Sequence, residues 1–403
     1  VAFLVPASVR AASSTWDGPP VDPDLSTERM VRAGPFHIRP FVLVKDIGYD
    51  DNVRFESQAR EGDATATAGG GLDALVLAGD RGGVRLFQEF DYVAFQTQTS
   101  LNHWNGSARA RGILLLKRLQ LSLEDQFRSE RERPSAEIDQ RLRRENNALT
   151  AALKTLGLGR LGVEAYARDE RIDYATDDAT LETAVDRLNR DEATLSVAGQ
   201  LRLLPKTTFL LEGRVSRIQF DNQSVERDAR KRAILPGVRF LPSASIQGEL
   251  RAGPLVLEAR DRPGGDYRGL VGEGNLSTRL GRAARLKGTF ARDVQFSTLT
   301  DNLYYVGTSW SGAFEQYFSR RLSGEISYGR SLNHYPMEVT RSGVIPFQGI
   351  RDDRFRDYRA TVRYRPNPRM TMEASAWRLD RDSTDDFYDR VRNLFTIGST
   401  FSF

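Results

Sequence analysis

The sequence predicts an all-β protein, a transmembrane antiparallel β-barrel of about 18 strands (16–18) with short periplasmic turns and longer extracellular loops. Three observations carry that reading. From Phe36 onward, segments of about ten residues or more alternate apolar and polar side chains. The turns between these segments alternate between short and long. No apolar run approaches the ~20 residues that a membrane helix requires.

Taken in order, Val1–Ala12 is a short apolar stretch followed by Val9-Arg10-Ala11, and residues 1–12 read as the remnant of a secretory signal peptide. Residues 13–35, rich in Pro, Asp, Ser and Thr, read as a disordered periplasmic lead-in. Residues 36–403 form the barrel. Val84, Leu86, Phe90, Tyr92 and Ala94 share one parity, against Arg85, Glu89 and Asp91 on the other. Leu119, Leu121 and Leu123 oppose Gln120, Ser122 and Glu124; Leu161, Val163, Ala165 and Ala167 oppose Glu164, Tyr166, Arg168 and Glu170. The pattern continues with Leu195, Val197, Leu201 and Leu203 against Thr194, Ser196, Gln200 and Arg202, then Phe209, Leu211 and Val215 against Glu212 and Arg214. Tyr358, Ala360, Val362 and Tyr364 oppose Arg359, Thr361, Arg363 and Arg365. The alternation is weakest from Ala229 to Arg279, where Pro236, Pro254 and several Gly interrupt it. The best helical candidate is Thr180 to Asn189, inside a long loop.

The short turns fall at Ala78–Gly82, Lys117–Arg118, Gly157–Gly159, Leu204–Lys206, Leu241–Ser243, Leu280–Arg282, Ser319–Arg321 and Pro366–Pro368. The other set falls at Ser57–Asp63, Glu132–Asp139, Thr176–Glu192, Asp221–Asp228, Asp261–Asp266, Pro336–Asp352 and Asp382–Asp389, with two brief members near Thr99 and Thr300. An even strand count leaves both termini on the periplasmic side. A soluble sandwich would explain any one strand, but not this alternation of turn lengths.

Hydrophobic residues make up 39% of the 403, which suits a barrel because only every second strand residue meets lipid. There is no cysteine, so disulfide staples and thiolate metal sites are excluded. The 58 basic and 54 acidic residues are interleaved, as in Arg128-Ser-Glu-Arg-Glu-Arg133, where a nucleic-acid binder would show a one-signed patch. His37, His103 and His334 are far apart, and no Ser–His or phosphate-loop signature stands in the chain. Ala68-Gly-Gly-Gly71-Leu72 reads as a close-packed or flexible strand, and the aspartates at 380, 382, 385, 386 and 389 as a solvated loop. We therefore expect no enzyme, no metal and no cofactor.

The functional surface is the lumen wall. Its expected inward residues are Arg85, Glu89, Asp91, Arg109, Arg111, Glu124, Glu164, Arg168, Arg202, Glu212, Arg214, Arg359, Arg363 and Arg365. Arginine presents a planar fork of donors that recognises carboxylate and phosphate, and rings of charge set ion selectivity in pores. Tyr166, Tyr305 and Tyr317 are candidate platforms for stacking a sugar. The opposing expectation is that Arg and Glu neutralise each other across the wall. A second alternative is a plugged structural or docking barrel, with Pro336–Asp352 and its apolar centre Val344-Ile345-Pro346-Phe347 folded inward.

The last strand places Phe395, Ile397, Phe401 and Phe403 on one face and small polar residues on the other. Its terminal aromatic resembles the signal by which barrel-assembly machinery recognises outer-membrane barrels. Gly48-Tyr-Asp-Asp-Asn-Val53, Ile234-Leu-Pro-Gly-Val-Arg239, Gly288-Thr-Phe-Ala-Arg-Asp-Val-Gln-Phe-Ser297, Tyr304-Tyr305, Arg359 to Tyr364 and Arg381-Asp-Ser383 add a family likeness. Together they resemble the outer-membrane β-barrel porin family, porin-2-like barrels that often accompany exopolysaccharide export in Gram-negative bacteria. The resemblance covers most of residues 36–403. It implies a wide charged lumen in the cell outer membrane, with lipid, lipopolysaccharide and periplasmic polysaccharide-export components as partners and no nucleic acid. The expected function is a porin-like conduit that passes polysaccharide or small anionic solutes.

Overall fold

The computed structural model describes residues 25–27, 30–57, 59–133, 137–156, 159–176, 178, 181–222, 227–240, 245–260, 265–299, 302–341 and 346–403. The expected signal remnant, residues 1–12, lies outside them. The lead-in acquires structure at its end, where β1 (Val31–Ala33) pairs with the first long strand. The strands that follow are β2 (Phe36–Asp50), β3 (Asp63–Leu77), β4 (Gly82–Phe95), β5 (His103–Leu115), β6 (Leu119–Glu132) and β7 (Leu142–Thr155). Next come β8 (Leu161–Ala175), β9 (Arg190–Leu204), β10 (Thr207–Phe220), β11 (Ala229–Phe240), β12 (Ile246–Ala259) and β13 (Tyr267–Leu280). The ring ends with β14 (Ala284–Phe296), β15 (Tyr304–Tyr317), β16 (Leu322–Arg341), β17 (Phe347–Asn367), β18 (Met370–Ser383) and β19 (Arg390–Ser402). Each long strand pairs antiparallel with the next, and β19 pairs back with β2, which closes an 18-strand barrel. Closure is what lipid demands, because a bilayer offers no partner to an open sheet edge.

The period-2 pattern sets the two faces. Val84, Leu86, Leu195, Leu211, Leu270, Ile326 and Val362 are exposed on the outer wall, while their strand neighbours point inward. In β2 a bulge between Lys45 and Gly48, with Asp46 at φ 56°, shifts the parity. Val42 and Val44 face out below it, and Ile47 and Tyr49 face out above it. The shift turns both Lys45 and Asp50 into the lumen. The glycine run in β3 is close-packed: a Cβ at Gly69 would overlap the Phe90 carbonyl oxygen, and one at Gly71 would overlap that of Gln88.

The expected helix appears as α1 (Glu182–Asp186) in the loop between β8 and β9. One expected loop does not. Of Pro336–Asp352, the residues up to Arg341 continue β16 and those from Phe347 begin β17, and Val344 and Ile345 lie outside the described residues. Pro336 sits in a register break between His334 and Glu338, where the ladder loses no donor, and pairing resumes with Glu338 opposite Ile350.

At the outer end of β13 and β14 the wall divides. Their pairing stops at Gly272 and Arg292, leaving Tyr267–Val271 and Asp293–Phe296 unpaired with each other. Lower on these strands Leu286, Phe290, Trp310 and Phe314 face lipid. Higher up, the same parity (Val294, Phe296, Tyr304, Val306) is buried against inward-facing Ile218, Phe220, Leu255, Leu257 and Val271. The ends of β14 and β15 thus pack beneath the β10–β13 wall. Carbonyl oxygens at the split are capped: Arg292 donates to Leu270 at 3.0 Å and Lys231 to Val294 at 2.8 Å.

Candidate functional site

Below the mouth lies a cavity of about 1220 Å³, lined from β2 through β9, by Lys231 of β11 and from β14 through β19. At its outer end three arginines converge. Arg392 is held by Asp50, whose carboxylate accepts from Nε at 2.9 and 3.0 Å, and Arg141 stands 3.7 Å from the same carboxylate. Arg133 donates to the carbonyl oxygens of Val53, at 3.0 Å, and Asp139. Each guanidinium lies over an aromatic ring: Arg133 over Phe55 at 4.9 Å, Arg141 over Phe95 at 5.2 Å and Arg392 over Trp377 at 5.2 Å. Burial, then the neighbouring Arg392, pushes Arg141 down to about 10, and the same causes hold Arg133 well below the ordinary arginine range. Both depressions come first from burial and then from crowded positive charge, and an entering anion relieves the second.

Residues 137–139 of the connection between β6 and β7 reach across the lumen above these arginines. Glu137 accepts from Ser297, and from the Thr298 hydroxyl at 2.6 Å, on the opposite wall. Asp139 pairs with Arg381 at 2.8 Å and Arg390 at 3.2 Å. Ile138 seats the crossing in a buried cluster with Leu142, Ile172, Tyr174, Val185 and Leu188. The described residues of this connection fold inward, while the centre of the Pro336–Asp352 stretch, residues 342–345, lies outside the described residues. Val339 and Phe347 from that stretch, with Tyr335 just before it, pack with Tyr305 at the wall.

On the β7–β13 side the lumen is filled by an alternating chain of charges. Lys154 meets Glu164 at 3.3 Å, Glu164 meets Arg239 at 2.9 Å, and Arg239 and Arg251 share Glu249. Arg251 continues to Glu212, Glu212 to Arg214 at 2.8 Å, and Arg214 to Glu273 at 3.0 Å. Glu212 is fully buried, and Ser196 donates to it at 2.6 Å.

The residues expected at the lumen wall therefore fall into three groups. Arg85 (with Asp73, 2.6 Å), Glu89 and Asp91 (both with Lys45), and Arg109 and Arg111 (both with Glu124) line the cavity. Glu164, Glu212 and Arg214 belong to the packed chain. Arg168 pairs with Glu170 at 3.0 Å and Arg363 with Glu373 at 2.7 Å, and Arg202, Arg359 and Arg365 share the inward parity without lining the cavity. Tyr305 is 9% exposed and packed on Tyr335, so it offers no free stacking face. The sequence reading missed Asp50, Arg133, Arg141 and Arg392. Arg392 carried a signal, since it shares the polar parity of the last strand; Asp50 was hidden by the bulge, and Arg133 and Arg141 by lying outside strands. On that strand Phe395 and Ile397 face lipid, and the Phe401 and Phe403 rings meet edge to face at 4.9 Å.

Residues 30–403 match the family model described as "Putative beta-barrel porin 2". The chain belongs to this porin family. Among solved structures it is similar to Pseudomonas aeruginosa OpdK with vanillate, at 12% identity and a TM-score of 0.52, over 91% of this chain and 99% of that one. It is also similar to Pseudomonas aeruginosa OpdO, at 12% identity and a TM-score of 0.50, over 91% and 97% of the two chains. A search of curated proteins finds no match. At such identities the likeness is one of fold: a porin-like outer-membrane channel.

Proposed function

We propose that this outer-membrane barrel is a conduit selective for small anionic solutes. The observation that supports this best is the cluster at the outer end of the cavity, where Arg141 and Arg392 share one carboxylate, Asp50, and Arg133 beside them donates to backbone carbonyls. An unmatched cationic cluster attracts anions into the lumen and repels cations. The aromatic rings behind the guanidinia hold the forks in place, so binding an anion costs little ordering. The vanillate in the similar OpdK structure is an organic anion of the class this site would take.

The cross-lumen ties of Glu137 and Asp139 favour a second reading, a barrel closed at rest and opened by a partner. An anionic polysaccharide strand, the other cargo expected from the family resemblance, passes only if the 133–141 crossing is displaced. Reversal potentials of the reconstituted barrel under a salt gradient test the first reading, with anion selectivity expected and cation selectivity overturning it. A deletion of residues 134–140 separates the two: a large rise in conductance supports the closed state, and an unchanged conductance removes it.

A further inference from the structure

We propose that the outer face of β10–β13 binds the phosphates of the outer-leaflet glycolipid, the phosphorylated disaccharide headgroup of lipopolysaccharide. Arg217 and Arg230 stand directly opposite each other in the β10–β11 register, both exposed on the lipid-facing parity. Like charges in that position repel, and a cross-strand pair of this kind needs a counter-charge. Arg232, Arg260 and Arg268 extend the same exposed face. Against these five stand three carboxylates among the described residues: Glu258, 3.4 Å from Arg232, Asp228, which accepts from the Phe220 N–H at 2.9 Å, and Asp266, which accepts from the Ala259 N–H at 3.0 Å. Arg217, Arg230 and Arg260 border a cleft of about 410 Å³ with Asp228 and Glu258.

Three further observations place the ligand. The rows just below, Phe209, Leu211, Val215, Ile234 and Leu270, are exposed and apolar, so the arginines sit where hydrocarbon gives way to headgroups. The arginines cannot turn into the lumen, because the inner face of these strands is sealed by the cluster around Phe220 and Leu257. Next to them, the belt on β8–β10 is neutralised from within, Arg171 pairing with Asp173, Asp191 and Asp221. The β10–β13 face has no such internal match among the described residues.

The experiment uses the full chain in detergent, with bisphosphorylated lipid A as probe and monophosphorylated lipid A, dephosphorylated lipid A and inorganic phosphate as comparison arms. Retained lipid is counted by native mass spectrometry. Bisphosphorylated lipid A is expected to bind about tenfold or more tighter than the dephosphorylated form, and a double Arg217→Ala, Arg230→Ala variant to lose that preference. Should the variant fail to fold, protection of Arg217 and Arg230 from an arginine-specific reagent in the unaltered chain gives the same answer. Equal binding of all lipid A forms, or no protection, overturns the proposal. So does competition by millimolar inorganic phosphate, which marks a free-anion site, and so does self-association abolished by the double variant, which marks a second copy as the occupant.

Discussion

On the β7–β13 side of the lumen each of Arg214, Arg239 and Arg251 meets two carboxylates, whereas at the outer end of the cavity Arg141 and Arg392 share the one carboxylate of Asp50 and Arg133 beside them donates to backbone carbonyls. The same residue types thus build a filled wall in one place and an open, cationic one in the other. What differs is the supply of acids within reach on neighbouring strands. Where charges alternate, the pairs satisfy one another and exclude solvent; where arginines outnumber acids, the space stays open to solvent anions. A lumen rich in arginine is therefore no evidence of transport until its pairing is known.

The comparison breaks most sharply at Asp50. Asp50→Asn leaves Arg392 and Arg141 buried beside each other without the carboxylate they share, and the expected loss of stability is about 3–5 kcal/mol. Urea unfolding from lipid vesicles measures it. Single-channel reversal potentials on the folded fraction are expected to show stronger anion selectivity. A variant with unaltered stability would mean that Asp50 is dispensable to the cluster.

Arg141→Ala has a smaller effect on stability and a direct one on permeation. The anion-to-cation permeability ratio is expected to fall roughly two- to fivefold. The pH dependence carries a definite sign. With its proton-loss midpoint near 10, Arg141 is charged across neutral pH, so selectivity stays flat there and declines only as pH approaches about 10. A lowered pKa also means that the charged form costs stability below that midpoint, so this contribution improves as pH rises through it. Selectivity that titrates near neutrality would assign the behaviour to another group.

The barrel itself was legible because lipid on one side and water on the other force a strict period of two, visible in β4, β6, β8, β9 and β10 without any partner information. Closure followed from the turn lengths. The outer half was harder to read, for reasons that particular residues show. Tyr335, Arg351 and Asp353 are fully buried in extensions of β16 and β17 that Pro336 disguises as a loop. The parity of Val294 and Val306 is unchanged from Phe290 and Trp310, yet their surroundings switch from lipid to protein because the wall divides above Gly272. Pairing defeated the site reading in the same way. Glu164 and Arg239 are 75 positions apart and three strands apart around the ring, so no local pattern announces that they neutralise each other.

Glu212→Gln sharpens the contrast from the filled side. Arg214 keeps Glu273 and Arg251 keeps Glu249, and the neutral amide still reaches Ser196, so the expected loss is about 1–2 kcal/mol. The permeability ratio should not move, because Glu212 lies outside the cavity. A shift in selectivity would show that the filled side is also part of the route.

The smallest effect belongs to Arg363 and Glu373, a cross-strand pair at 2.7 Å near the periplasmic end, with side chains 31% and 44% exposed. Both ions remain hydrated, so the pair gains little Coulomb energy and costs two long side chains their freedom. Glu373→Gln is expected to change stability by less than about 1 kcal/mol, and raising the salt concentration should erase even that. The variant also removes the only carboxylate in direct contact with Arg363 among the described residues, at the inner opening. If arginine excess alone made a lumen anion-selective, this substitution would raise the permeability ratio as Asp50→Asn does. The expectation here is no measurable change, because a hydrated guanidinium at a wide mouth is screened within about 8 Å, whereas three crowded ones below the 133–141 crossing are not.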